Sequence, residues 1–259
     1  MVKGSPELAW GFAVLALVVA AAFPVLLFRA ARAAGEPDAT KRGLSAAVLT
    51  ALWLAATFAA GASGRLSFST VPPTMVLALV VMWAVALRVG LGPVGARLAA
   101  STPLALLVGV QAFRLPLELL MHRAYTEGLM PGQMSYSGRN WDIVTGTTAL
   151  LLGVALAVWR GRVPLRLVAA WNVMGALLLA NVLVVAMLSA PTPLRVFMNE
   201  PANVWIAAAP WIWLPSVFVV AAIAGHIVVH RRLRAEARGR AGAPANARNT
   251  SSRTPAVVV

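Results

Sequence analysis

Apolar residues run along this chain in seven stretches of about the length that crosses a bilayer. They are Leu8–Phe28, Leu44–Ala62, Thr74–Leu91, Pro103–His122, Ile143–Trp159, Leu165–Leu188 and Val204–Val229. Turn-forming residues punctuate them at Gly35 to Asp38, Gly64 to Pro73, Gly90 to Thr102 and Ala190 to Pro201. The first stretch is too long for the apolar core of a signal peptide and is followed at once by Arg29 and Arg32, so it reads as a true span. The pattern predicts an all-α fold, a polytopic bundle of seven transmembrane helices over residues 1–230. From Arg231 to the end the chain is rich in Arg, Ala, Gly, Pro, Asn and Ser with a single acid, Glu236, which predicts a disordered basic tail over 231–259.

Composition agrees with a bilayer as solvent. Of the 259 residues 60% are hydrophobic and 12% charged, where a soluble domain has about half and about a quarter. That excludes an ordinary soluble enzyme. With no Cys, thiol catalysis, disulfides, iron–sulfur clusters and Cys-based zinc sites are excluded too.

The net charge of +14 maps onto topology. Counted over alternate loops, sixteen Lys and Arg fall on one side of the seven spans and five on the other, with Arg114 inside a span. The positive-inside rule then puts the C-terminus in the cytoplasm and the N-terminus outside. Nucleic acid is not needed to explain the charge and is not expected as a partner. The basic tail is expected to lie against anionic lipid headgroups. Trp10, Trp141, Trp205, Trp211 and Trp213 are placed near the outer interface, and Trp159 and Trp171 near the inner one. Ala47, Ala51, Ala55 and Ala59, at four-residue spacing, offer a seam for a close helix neighbour.

Ionisable groups inside a span cost about 2.5–3.5 kcal/mol each on insertion scales, so they mark candidate sites. In the fourth stretch Gln111, Arg114, Glu118 and His122 share one helical face. Arg114 and Glu118 are close enough to pair, although base-before-acid is the weaker order on a helix. Pro116 between them predicts a kink. The following outer loop supplies Glu127, Arg139 and Asn140, Asp142 opens the fifth span, and the last outer loop supplies Glu200 and Asn203. Helix-dipole stabilisation is the structural explanation for Asp142.

These residues point to a cavity in the outer half of the membrane that binds, senses or carries a small polar molecule. Arg114 and Glu118 form its charged core, the first to hold an anionic group and the second to exchange a proton. His122, Asn140 and Asp142 orient them. The rivals are a membrane-embedded hydrolase or transferase, with Glu118 or Asp142 as base and His122 as acid, and a structural subunit of a larger complex. No cofactor or metal is expected. The last span has no Lys for a retinal Schiff base. His226 and His230 resemble the HxxxH of seven-span hydrolases of the alkaline ceramidase and progestin-receptor type, but a bilayer separates them from His122, the third His, in this reading. They are read instead as caps on the last helix turns. A soft-metal site from Met121, His122, Met130, Met134 and Met198 competes with their role as apolar filler.

The segments FRLPLELLMH, EGLMPGQM, GRNWDI, NEPANVW and PWIWLPSVFV resemble an uncharacterised family of bacterial seven-span membrane proteins, over about Pro103 to His230. The resemblance implies a multi-pass protein of the bacterial cytoplasmic membrane and no particular substrate.

Overall fold

A computed structural model describes residues 4–159 and 161–242. Among these residues there are helices and turns and no strand. Helix α1 spans Pro6–Ala33, α2 Ala39–Ala62, α3 Thr74–Leu91 and α4 Pro93–Ser101. Helices α5 (Leu104–Gly109) and α6 (Arg114–Thr126) are joined by the 3₁₀ turn Val110–Phe113. Then come α7 (Ile143–Val158), α8 (Leu165–Ser189) and α9 (Val220–Gly242), the last entered through a π turn at Leu214–Val219. Six helical segments are long and apolar enough to cross a membrane, as a multi-pass membrane protein requires; α7, with 16 residues, is shorter.

The chain departs from the pattern of apolar runs at three places. The fourth run is not one continuous α-helix: its 3₁₀ turn lies directly upstream of Pro116, which thereby falls in the first turn of α6, where a missing N–H costs little. The seventh run does not start at Val204. Residues 204–213 form the 3₁₀ turn Trp205–Ala207 and further turns, because Pro210 and Pro215 deny the early helix its ladder of N–H donors. At the far end α9 continues through Arg231 to Gly242, so the first residues of the expected disordered tail are helical; residues 243–259 lie outside the described ones.

Helix α9 is the hub, packed against α3, α4, α5 and α8. Two apolar clusters divide the interior. One gathers Phe12, Met75, Met121, Met130, Met134, Trp205, Trp211 and Phe218. The other gathers Leu27, Leu98, Leu107, Val108, Leu152, Trp171 and Val228. Trp205, Trp211 and Trp213 therefore sit in the core and not at a lipid interface, where they pack on Phe12 and Phe58. Trp171 is buried as well, while Trp10, Trp141 and Trp159 are exposed. The alanine seam of α2 also fails to meet a neighbour: Ala51, Ala55 and Ala59 are exposed, and α2 presents Gly43, Ala46, Trp53 and Thr57 to the bundle instead.

Polar clasps tie the two ends. At one, Glu36 accepts from Arg42 and Arg97, each at 2.7 Å, and Arg232 donates to the carbonyls of Ala99 and Ala100 at the end of α4. At the other, Glu127 accepts from the backbone N–H and hydroxyl of Ser5, both at 2.7 Å, and from Arg123 at 2.9 Å. Desolvation is the largest single influence on the Glu127 carboxyl and pushes it up, but the bonds from Ser5 and Arg123 together outweigh it and hold it below the usual carboxylate range.

Candidate functional site

Between the two apolar clusters lies a layer of buried polar side chains. Arg114, Glu118, Asn140, Asp142, Asn172 and His226 are each 6% exposed or less. The first turn of α6 supplies Arg114, and Glu118 follows one turn later. Asp142 stands at the N-cap of α7, which begins below the surface. The loop that leads there is buried in part: Met130, Ser135 and Asn140 are fully enclosed, while Ser137 to Arg139 and Trp141 are exposed. Irregular backbone at that depth is tolerated because protein surrounds it.

The ion pair differs from the expected one. Arg114 Nη1 meets Asp142 Oδ1 at 3.1 Å, and no ion-pair partner of Glu118 occurs among the described residues. A helical side chain leans toward its own N-terminus, so Arg114 points away from Glu118 and toward the start of α7. Asp142, at the N-cap of α7, makes no side-chain capping bond to its own helix and pairs with Arg114. Both oxygens of Glu118 accept from Asn140 Nδ2, at 3.0 and 2.8 Å. The same amide donates to the Met134 carbonyl at 3.0 Å, and Asn140 Oδ1 accepts the Asp142 backbone N–H at 3.0 Å. One asparagine thus holds the Glu118 carboxylate and the backbone of Asp142.

His226 belongs to this layer and not to the end of the last helix. Its Nε2 lies 3.1 Å from Arg114 Nη1. A guanidinium has no acceptor, so Nε2 accepts and Nδ1 carries the hydrogen, donated to Asn172 Oδ1 at 2.9 Å. Asn172 Nδ2 returns a bond to the His226 carbonyl at 3.3 Å. The misplacement follows from the late start of the last helix. Counted from Leu214, His226 lies ~18 Å along the axis, near mid-membrane. Pro210 and Pro215 were the signal that could have shown it. Asn172, one amide in the apolar run of α8, gave no pattern to read. Gln111 does share the Arg114 face, and its Nε2 reaches the Ala221 carbonyl at 3.4 Å.

The other expected residues disperse. His122 is half-buried, its Nδ1 2.8 Å from the Ser135 hydroxyl and its ring stacked 4.5 Å from Tyr136. Glu127 is in the terminal clasp described above. Arg139 is exposed and lies over the Phe197 ring. Glu200 is exposed, and the Arg195 guanidinium with the Ala202 N–H holds its carboxyl below the usual range. Asn203 is buried and donates to the Ala186 carbonyl at 3.0 Å. Met121, Met130 and Met134 are core residues and Met198 is exposed, so they do not converge on His122. Among the described residues no group of three His, Asp or Glu side chains is placed to hold a metal ion.

A cavity of about 350 Å³ abuts the polar layer. Of the residues singled out in the sequence, Arg114, Glu118, Asp142 and Asn203 line it; His122, Glu127, Arg139, Asn140 and Glu200 do not. Most of its wall is apolar, from Trp83, Leu117, Leu179, Leu183 and Phe218 among others. The wall is thus chiefly apolar, with its charged groups confined to Arg114, Glu118 and Asp142.

No curated protein and no solved structure matches the chain. The profile of one family does match it over residues 71–234, a segment holding the polar layer and nearly all of the cavity wall. The chain belongs to that family, DUF8737, a domain of unknown function.

Proposed function

We propose that the protein is a seven-span bacterial cytoplasmic-membrane protein, N-terminus outside, that binds a small molecule in this cavity as a sensor or carrier and does not turn it over. The observation that carries the reading is a ligand-sized cavity with three ionisable side chains, Arg114, Glu118 and Asp142, in its wall. Such groups inside a membrane protein face a functional cavity by default. Below them Leu107, Val108, Leu152 and Val228 form continuous apolar packing. That favours a pocket over a pore. The seventh span is α7, ~24 Å long at 1.5 Å per residue, extended by the enclosed part of the loop before Asp142, Met130 to Ser135 and Asn140. The hydrolase alternative has no support in the geometry, since His122 does not line the cavity.

The test is native mass spectrometry of the purified protein beside Ala186→Trp, which fills the cavity from α8. A small molecule retained by wild type and lost from a folded Ala186→Trp variant is the expected result. Wild type that carries nothing in mild detergent or in nanodiscs, and is not stabilised by total lipid extract, would overturn the reading.

A further inference from the structure

Resting on that cavity reading, we infer that the ligand is a membrane lipid with a neutral, oxygen-bearing head, and that it arrives sideways between α3 and α8. Helices α3 and α8 both pack on α9 and flank the cavity. The wall residues on these two sides include the most exposed ones: Val80 at 57%, Met187 at 42% and Leu194 at 64%. A mouth rimmed by exposed Val, Met and Leu is costly against water and cheap against acyl chains. Its natural supply of ligand is therefore the bilayer itself.

The head is defined by what the wall leaves unpaired. Trp83 Nε1, Arg114 Nε and Arg114 Nη2 are buried donors without a partner, and Asn203 Oδ1 is a buried acceptor without one. All three residues line the cavity. Unpaired buried polar groups are expensive and mark a missing partner. A preponderance of N–H groups calls for an oxygen acceptor. Charge decides which kind. Asp142 already balances Arg114, while Glu118 has only the amide of Asn140. An anionic head would find no cation in the wall other than Arg114, which Asp142 already balances, and a cationic head would face the guanidinium and the indole N–H. A hydroxyl or carbonyl satisfies the donors and adds no charge.

The experiment uses the full chain in nanodiscs with bromine-labelled dodecanol, dodecanoate and dodecyltrimethylammonium, read by quenching of Trp83 fluorescence with Trp83→Phe as the blank. Dodecanol should quench saturably, with an apparent Kd at least about tenfold below the two charged probes, and Arg114→Gln or Asn203→Ala should weaken it by a similar factor. Because Arg114→Gln is at risk of misfolding, Val80→Phe and Met187→Phe, at exposed positions and adding no tryptophan to the signal, supply an independent arm: each should slow association several-fold if access is lateral. A charged probe that binds tightest would overturn the head assignment and leave the cavity reading intact. Unchanged association in both mouth variants would overturn lateral access. Saturable binding of none of the three probes would overturn the lipid assignment, and the copurification test above then stands alone for the cavity.

Discussion

At the scale of single residues, Asn140 is the side chain on which the polar layer depends. Its amide nitrogen is the hydrogen-bond donor to both oxygens of a buried carboxylate, and its carbonyl oxygen holds the backbone N–H of Asp142. Asn140→Asp keeps the shape and removes the donor, leaving two carboxyls face to face. Asn140→Ala removes donor and acceptor but adds no charge. The isosteric variant should therefore be the more damaging of the two, against the usual ranking by size. A cost of about 1–3 kcal/mol is expected for Asn140→Ala and more for Asn140→Asp. Denaturant unfolding in detergent measures both; an Asn140→Asp variant as stable as wild type would show that Glu118 does not need this amide. The Glu127 clasp gives a second residue-level prediction, this time with pH. A carboxyl held below its usual range adds stability that is complete above the unfolded value and is lost as pH falls through the lower folded one. The protection factors of the Ser5 and Leu8 amides against hydrogen exchange, taken relative to the intrinsic rate at each pH, should be high at neutral pH and fall in acid. In Glu127→Gln the same amides should show low protection throughout, without the step.

At the scale of elements, the polar layer exists because α6 and α7 touch at backbone distance. A Cβ on Gly146 would run into the backbone of Arg114 and Leu115, so α7 can approach α6 here only with glycine. Small residues are how membrane helices make such crossings. Gly146→Ala should push the helices apart, lengthen the Arg114–Asp142 contact and cost as much as losing one partner of a buried pair, about 3–5 kcal/mol. If Gly146→Ala unfolds like wild type, the crossing is looser than drawn. This element also shows what the sequence could and could not tell. The shared face of Gln111, Arg114 and Glu118 was legible, because helical periodicity alone determines it. The partner of Arg114 was not, since it depends on the depth at which α7 begins, and the partial burial of the loop before Asp142 leaves no mark in hydropathy. The last helix failed for the related reason that Val204 to Trp213 is apolar enough to imitate a span. Its Trp side chains are apolar because they fill a core, and hydropathy cannot separate a core from a lipid tail.

At the scale of the whole molecule, orientation turns on charge and is open to direct measurement. Arg231 donates to the carbonyls of Gly90 and Gly92, at 2.9 and 3.1 Å, and so joins the middle of α9 to the end of α3. With Arg232 on α4 and Glu36 between Arg42 and Arg97, the basic loops form one end of the bundle. Ser5, Arg123 and Glu127 mark the opposite end. Positive-inside logic assigns the first end to the cytoplasm. Because the chain has no cysteine, a single introduced thiol reports without background. Ser137 and Ala235 are both exposed and stand at the two ends. In intact cells a membrane-impermeant maleimide should label Ser137→Cys and spare Ala235→Cys, and permeabilisation should bring Ala235→Cys up to the same level. The reverse pattern would place the charged layer nearer the cytoplasm. The cavity would then draw its lipid from the inner leaflet, and the argument from the sixteen-to-five charge bias would fail with it.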